Sequence, residues 1–364
     1  MITIRTPDFY LSEPGALKKL GKVTRRVLGG AAPKALILWS KTAREKVLAL
    51  VTEELKAAGI AYREETFADY PTLVKAEAYA RLVHEQKISV ILAAGGGRTL
   101  DQGKAAATLA GVPVITIPTI AATCAAWAAV SILYREDGDY DQSYQNPRSA
   151  AAVVADTDII AAAPAKYLRA GISDTLAKWY EPHYKDRAFV SNILSFGARQ
   201  ALEFLREQGG RVADRAEQGL VDEDTVRTID AIILLAGFVG SYAGTNVFNG
   251  YAHPYYFVVR RNHATYARLH GEIVAFGLLV QLLYEHRSAG EIRELLHELA
   301  SVENVFTLEE QGLRHEDVPE IAARIQREFK ENDDKAAAER LEQAIFEAEA
   351  TAQAYKKQQR KKAA

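Results

Sequence analysis

The stretch VILAAGGGRTLDQGKAAATLA, residues 90–110, decides the fold. Five apolar residues, Val90 to Ala94, are too few for a buried helix and are stopped by Gly95, Gly96 and Gly97, so they predict a buried strand. Thr99 to Ala110 then predicts a helix. The same alternation extends on both sides. Ala35 to Trp39 predicts a strand, Thr42 to Ala58 a helix, Ile60 to Glu65 a strand, Lys75 to Glu85 a helix, and Pro113 to Pro118 a further strand. Strand, helix and strand at this spacing imply crossover units and a mainly parallel sheet. Near-continuous apolar strands imply cover on both faces.

After Asp156 the pattern turns helical, over Ser191 to Glu207, Asp224 to Gly240, Tyr266 to Arg287, Ala289 to Ser301, Asp317 to Phe329 and Lys335 to Tyr355. We therefore expect an α/β domain over residues 1–160 with a mainly parallel sheet and an all-helical domain over residues 161–364. The length of 364 residues suits two domains. Apolar residues form 48% of the chain and charged residues 25%, an ordinary globular composition. The net charge of −2 attracts neither nucleic acid nor an anionic membrane. The apolar stretch from Ala231 to Val239 is far short of the roughly 20 residues needed to cross a bilayer. The opening MITIRTPDFYLSEPG has no long apolar run of the signal-peptide kind, and Cys124 is the only cysteine, so a cytoplasmic protein is expected. The basic run Lys356 to Lys362 reads as a solvated helix end.

Three glycines between a strand and a helix let main-chain N–H groups approach an anion closely, which is the physics of a pyrophosphate site. A bare tight turn is the other reading. The segment GGGRTLDQGKAAA resembles the GGG-K-T-L-D-x-x-K-A stretch of the iron-containing, metal-dependent alcohol dehydrogenases, glycerol dehydrogenase-like members in particular. The stretch PTIAATCAAWAAVSILY from Pro118 to Tyr134 is similar to that family's P-T-I-A-S-T-D-A-P-x-S-A-L-S-V-I-Y. The resemblance implies a dehydroquinate synthase-like architecture, in which residues 1–160 form the dinucleotide-binding domain and residues 161–364 carry metal and substrate. It implies a nicotinamide cofactor, NAD or NADP, lined by Gly95, Gly96, Gly97, Arg98, Thr99, Asp101, Thr119, Ala122, Val130 and Tyr134. Arg98 takes the family's lysine position. Ser40 stands where the family often has an aspartate against the adenosine ribose, and Lys41 follows it, so NADP becomes as acceptable as NAD. Cys124 replaces an aspartate at the substrate end, and Trp127 a small residue. Both are expected in the substrate pocket, and they argue against glycerol itself. Without a paired histidine motif, Cys124 reads as a small buried hydrophobe rather than a nucleophile.

None of the eight histidines forms a close pair, so a metal site has to be assembled from separate segments. The segment AGISDTLAKWYE, from Ala170 to Glu181, resembles the family's A-G-I-G-D-A-L-A-x-x-x-E, whose aspartate is a ligand. From the residues alone, Ser173 or Asp174 could instead cap a following helix. The string HGEIVAFG from His270 to Gly277 is similar to H-G-E-K-V-A-F-G, and the resemblance makes His270 a ligand. His253 stands 17 residues earlier, at the family's ligand spacing. Pro254 follows it, which predicts an unusual local backbone. A rival register through Asn249 and Gly250 would put Thr245 in the ligand slot.

Asp174, His253 and His270 would act catalytically through one divalent metal, zinc in preference to iron. The helical domain is expected to close over the cofactor. The resemblance thus implies a hydride-transferring dehydrogenase of a small alcohol or polyol, or of its carbonyl form. It implies a homo-oligomer, with no nucleic-acid or membrane partner. A lyase like dehydroquinate synthase or the cyclitol synthases, with bound NAD, is the alternative. A non-catalytic nucleotide-binding relative is the second.

Overall fold

The computed structural model describes residues 3–29, 33–182, 193–243, 250–331 and 334–363. The chain divides into two compact units. One comprises Met1–Leu168 with Asp214–Thr245, the other Arg169–Ala213 with Asn246–Ala364.

The first unit is built on a six-stranded, all-parallel sheet. Its strands lie in the order Phe9–Glu13, Ala152–Asp156, Val114–Pro118, Val90–Gly95, Lys34–Ser40 and Ala61–Phe67. The strands 90–95, 114–118 and 152–156 are buried throughout, as a sheet covered on both faces requires. The edge strand 61–67 is instead exposed or half-buried at every position but Phe67. The chain moves outward from 34–40 to 61–67, then crosses back to 90–95 on the other side of 34–40. That reversal is the switch point of the sheet, with Trp39 paired to Ala94 on its two sides. Ligands of open parallel sheets bind outside the carboxyl ends of the strands at this place. The strands 9–13 and 152–156 were not readable from the sequence. The same holds for the antiparallel hairpin of Val130–Tyr134 with Tyr140–Gln145.

The expected helix from Asp224 to Gly240 is present but belongs to the first unit. It runs as Glu223–Asp230, a π-helical turn Ala231–Leu235, and Ala236–Gly240. The strand pairing of Tyr242–Ala243 with Thr3–Ile4 also departs from an all-helical second half.

The second unit is helical. The helix His270–Tyr284 is its axis, buried at nearly every position and packed on Ala252–Val259, Ala289–Ser301 and Lys335–Ala363. A helix apolar all round belongs in an interior. The predicted start at Tyr266 is corrected to His270. His263–Ala267 forms a separate 3-10 turn, and the Glu272 carboxylate accepts the Leu269 N–H at 2.9 Å to close the new N-terminus. The basic run ends the helix Lys335–Ala363, with Lys356 paired to Glu310. Among the described residues, no helix is long and apolar enough to cross a membrane.

Candidate metal centre and glycine turn

Three helices of the second unit each deliver one donor. Asp174 lies in the third turn of the helix Ala165–Tyr180. It is therefore interior to a helix and caps nothing. His253 and Pro254 are the second and third residues of the helix Ala252–Val259. Pro254 needs no kink, because the first turn offers its nitrogen no intrahelical acceptor. His270 opens the helix 270–284.

The spacing of the helices is set by glycines. A Cβ on Gly271 would lie 1.8 Å from the Ala170 carbonyl oxygen, so helices 165–180 and 270–284 touch backbone to backbone one turn from Asp174. A Cβ on Gly277 would lie 2.8 Å from Cα of Ala252, the residue before His253. The two glycines of the HGEIVAFG string thus sit where its helix meets the helices bearing the other two donors.

The donor atoms of Asp174, His253 and His270 all lie within 4.8 Å of one another. His270 Nε2 is 3.1 Å and His253 Nε2 3.5 Å from Asp174 Oδ1. Two ligands held about 2.0–2.1 Å from a tetrahedral ion stand about 3.3 Å apart, so one carboxylate and two imidazoles at these separations fit a divalent cation. Asp174 is 2% exposed, His253 8%, and the His270 side chain 23%. The rim is therefore open on the His270 side.

Glu181 completes the arrangement, and the sequence reading gave it no role. Its carboxylate is fully buried. Oε1 accepts the His253 main-chain N–H at 2.9 Å, and Oε2 is in short contact with His253 Nδ1. With Nδ1–H held by Glu181, the proton that His253 gives up on binding a cation is the one on Nε2, which faces Asp174, as a ligand histidine requires. The signal was present in the spacing, since 174 and 181 are two helical turns apart. Reading it requires knowing that the helix starts before Asp174. Gln281 donates to the Glu181 carbonyl at 3.2 Å and to the Tyr180 carbonyl at 3.1 Å. The Tyr256 ring meets His270 edge-on at 4.2 Å.

The electrostatics follow from burial and charge. Burial opposes ionisation of Asp174, yet Lys178, His270 and His253 outweigh it and hold the carboxyl well below the usual range. Burial also opposes charge on His253, but Glu181 and Asp174 push it up to about 9. His270 is shifted down, by burial first. The rival ligand Thr245, with Asn249, lies outside the described residues.

The first unit gathers most of the predicted cofactor residues at the switch point. Gly95 ends its strand at φ +151°, and Gly96 precedes the helix Gly97–Ala110, whose first turn carries no acid. A Cβ on Gly95 would crowd Ser40 Oγ at 3.1 Å and Thr99 Oγ1 at 3.0 Å. Thr119 N–H donates to the Gly95 carbonyl at 3.1 Å. Ser40 Oγ also caps the helix Lys41–Ala57 by accepting from Ala43. Arg98 is exposed, with its guanidinium over the Tyr70 ring at 5.2 Å, and Tyr70 in turn meets Tyr134. Asp101 does structural work: it pairs with Lys104 at 2.9 Å and accepts the Ile132 N–H at 3.2 Å. Lys104 also donates to the carbonyls of Ala128 and Val130. Ala122 is half-buried on the loop after the sheet. Cys124 packs with Ala128, Ala236 and Val130 as a small apolar residue. The Trp127 indole lies edge-on to Tyr10 at 5.3 Å and against Gly237, where a Cβ would come within 2.5 Å of it. Its buried Nε1–H meets no acceptor among the described residues.

Comparison with known proteins agrees with this geometry. The profile of the family described as iron-containing alcohol dehydrogenase matches residues 7–157. Glycerol dehydrogenase of Pseudomonas putida is 32% identical over 324 residues, spanning 87% of this chain and 86% of that protein. Glycerol dehydrogenase of Escherichia coli is 30% identical over 333 residues, with 87% and 86% spanned. The crystal structure of a probable glycerol dehydrogenase from Sinorhizobium meliloti superposes with a TM-score of 0.85 over 97% of this chain and all of that one, at 24% identity, and so shares the fold. The chain therefore belongs to the iron-containing alcohol dehydrogenase family as a glycerol dehydrogenase-like member, a metal-dependent alcohol or polyol oxidoreductase.

Proposed function

We propose that the protein moves a hydride between NAD(P) and a small alcohol or polyol other than glycerol, with one divalent metal, zinc in preference to iron, held by Asp174, His253 and His270. The observation that carries this reading is the convergence of those three donors with Glu181 behind His253. When bound, the metal supplies a Lewis acid for the substrate oxygen and the nicotinamide supplies the hydride carrier. Asp174 contributes the negative charge that attracts the cation. Glu181 fixes the His253 ring and its tautomer. Tyr256 limits rotation of His270. The glycine turn and the free N–H groups opening helix 97–110 receive the pyrophosphate, and exposed Arg98 adds positive charge beside them.

The substrate reading rests on the residues at 124 and 127. Cys124 brings no carboxylate, which leaves the hydroxyl groups of glycerol without that acceptor. Trp127 has a buried N–H that meets no acceptor among the described residues and would donate to a substrate oxygen. Ser40 offers no charge to repel a 2′-phosphate and Lys41 is exposed, so we assign NADP(H) as an accepted cofactor beside NAD(H). By analogy with the family, a homo-oligomer is the working form. The lyase alternative falls with family membership. A non-catalytic relative would have no need of the gathered ligand set.

The test is His270→Ala, assayed for bound zinc and for alcohol oxidation with each cofactor across a panel of alcohols. Loss of both metal and turnover is expected. Retention of both would overturn the assignment.

A further inference from the structure

Lys178 stands one turn beyond Asp174 on the helix Ala165–Tyr180, and Glu181 follows directly after the end of that helix. Lys178 is 3% exposed, and the acidic residues Asp174 and Glu181 are 2% and 0% exposed. Lysine is almost never enclosed to this degree without opposing charge. Its positive charge reaches every ionisable group of the centre. Burial opposes ionisation of Asp174 and Glu181, and Lys178 is among the groups that overcome it. Burial also opposes protonation of His253 and His270, and Lys178 adds to that opposition.

We propose that Lys178 is a built-in counter-cation that sets how tightly the centre holds its metal. The inference rests on the ligand assignment made above. With neutral imidazoles, Asp174 and Glu181 present two negative charges to an incoming divalent ion, and Lys178 cancels one of them. Enclosed charges are weakly screened by solvent and salt, so this cancellation acts on the ion at nearly full strength. Without the ion, the same ammonium keeps the two buried carboxylates from repelling each other. Lys178 is thus a positioning residue that acts through Asp174 and Glu181. It makes the ion exchangeable, and it keeps the ion-free protein folded.

The experiment measures zinc affinity by chelator competition for the full chain and for Lys178→Met, Lys178→Arg and Asp174→Asn. The unfolding temperature of each is measured with and without zinc. Lys178→Met should bind zinc roughly 10–100-fold more tightly, the scale on which outer partners tune metal sites. It should also melt lower without zinc and gain a larger zinc-induced shift. Lys178→Arg, which keeps the charge, should stay within about threefold of the parent. If Lys178→Met binds zinc no more tightly while Asp174→Asn loses it, the counter-cation role is wrong and the centre stands. If Asp174→Asn binds zinc as the parent does, the centre itself is wrong. Should Lys178→Met fail to fold, Lys178→Gln is titrated in its place under the same criteria.

Discussion

The two units offer the ligands proposed for them opposite kinds of site. The glycine turn is contiguous, made by the main chain of residues 95–97, and offers neutral N–H dipoles. The proposed metal centre is dispersed over Asp174, His253 and His270 on three helices, and offers side chains of high charge, two of them buried. A main-chain site can lose its function to a single methyl group while the fold survives. A side-chain site of this kind fails with the packing that brings its helices together. The first should be indifferent to pH, and the second should carry the pH dependence of the molecule.

The strongest challenge to this contrast is Gly271→Ala. The added methyl would meet the backbone oxygen of Ala170, which cannot rotate away. A stability loss of about 3 kcal/mol or more is expected, with loss of zinc binding although no ligand is touched. Thermal melts with metal analysis check this, and a stable, zinc-replete variant would break the comparison. Glu181→Gln keeps the shape of the side chain but removes its charge. Zinc affinity should fall roughly 10–100-fold, read by chelator competition. Lys330 provides the pH test. Burial brings its ammonium down to about 8, against the influence of Glu181 and Glu285. Between about 8 and its ordinary value near 10.5 the unfolded chain holds more protons, so stability should rise with pH across that window. Lys330→Met should flatten the rise, by about 1–2 kcal/mol in denaturant melts between pH 7.5 and 10.5. The smallest effect on stability is expected for Gly96→Ala. Its methyl would meet only the tip of the Ile120 side chain, at 2.8 Å. A change below about 1 kcal/mol should accompany roughly tenfold weaker dinucleotide binding, measured by fluorescence titration.

The same division explains what could be read without a structure. Strand, glycine turn and helix are local, so residues 90–110 were legible, as was the core of the sheet. The strands 9–13 and 152–156 pair across about 140 positions, a fact that no local pattern records. The first is also only half-buried along its length, so it lacks an apolar run. Residues 224–240 have a clear helical pattern, but a pattern does not say which unit it packs with. His270 was legible through its string. Asp174 was ambiguous between ligand and cap because Gly171 and Ser173 mask the helix that runs through them. His253 was legible by spacing, while Pro254 made its backbone look stranger than it is. Glu181 and Lys178 carry no local signal in the sequence, because their nearness to Asp174 depends on the helix that runs through Asp174 and ends just before Glu181.

The contacts at Gly271 and Gly277 carry a consequence for the choice of ion. Helices already in backbone contact have no slack in one direction: they can be pried apart but not pressed closer. A metal with long bonds, held as proposed by Asp174, His253 and His270, would be accommodated by a small opening, whereas one demanding shorter bonds would find the jaws at their stop. The two glycines therefore act as a gauge block. Packing farther out can drift over time, and the distance between the two halves of the grip stays where the bare backbones put it.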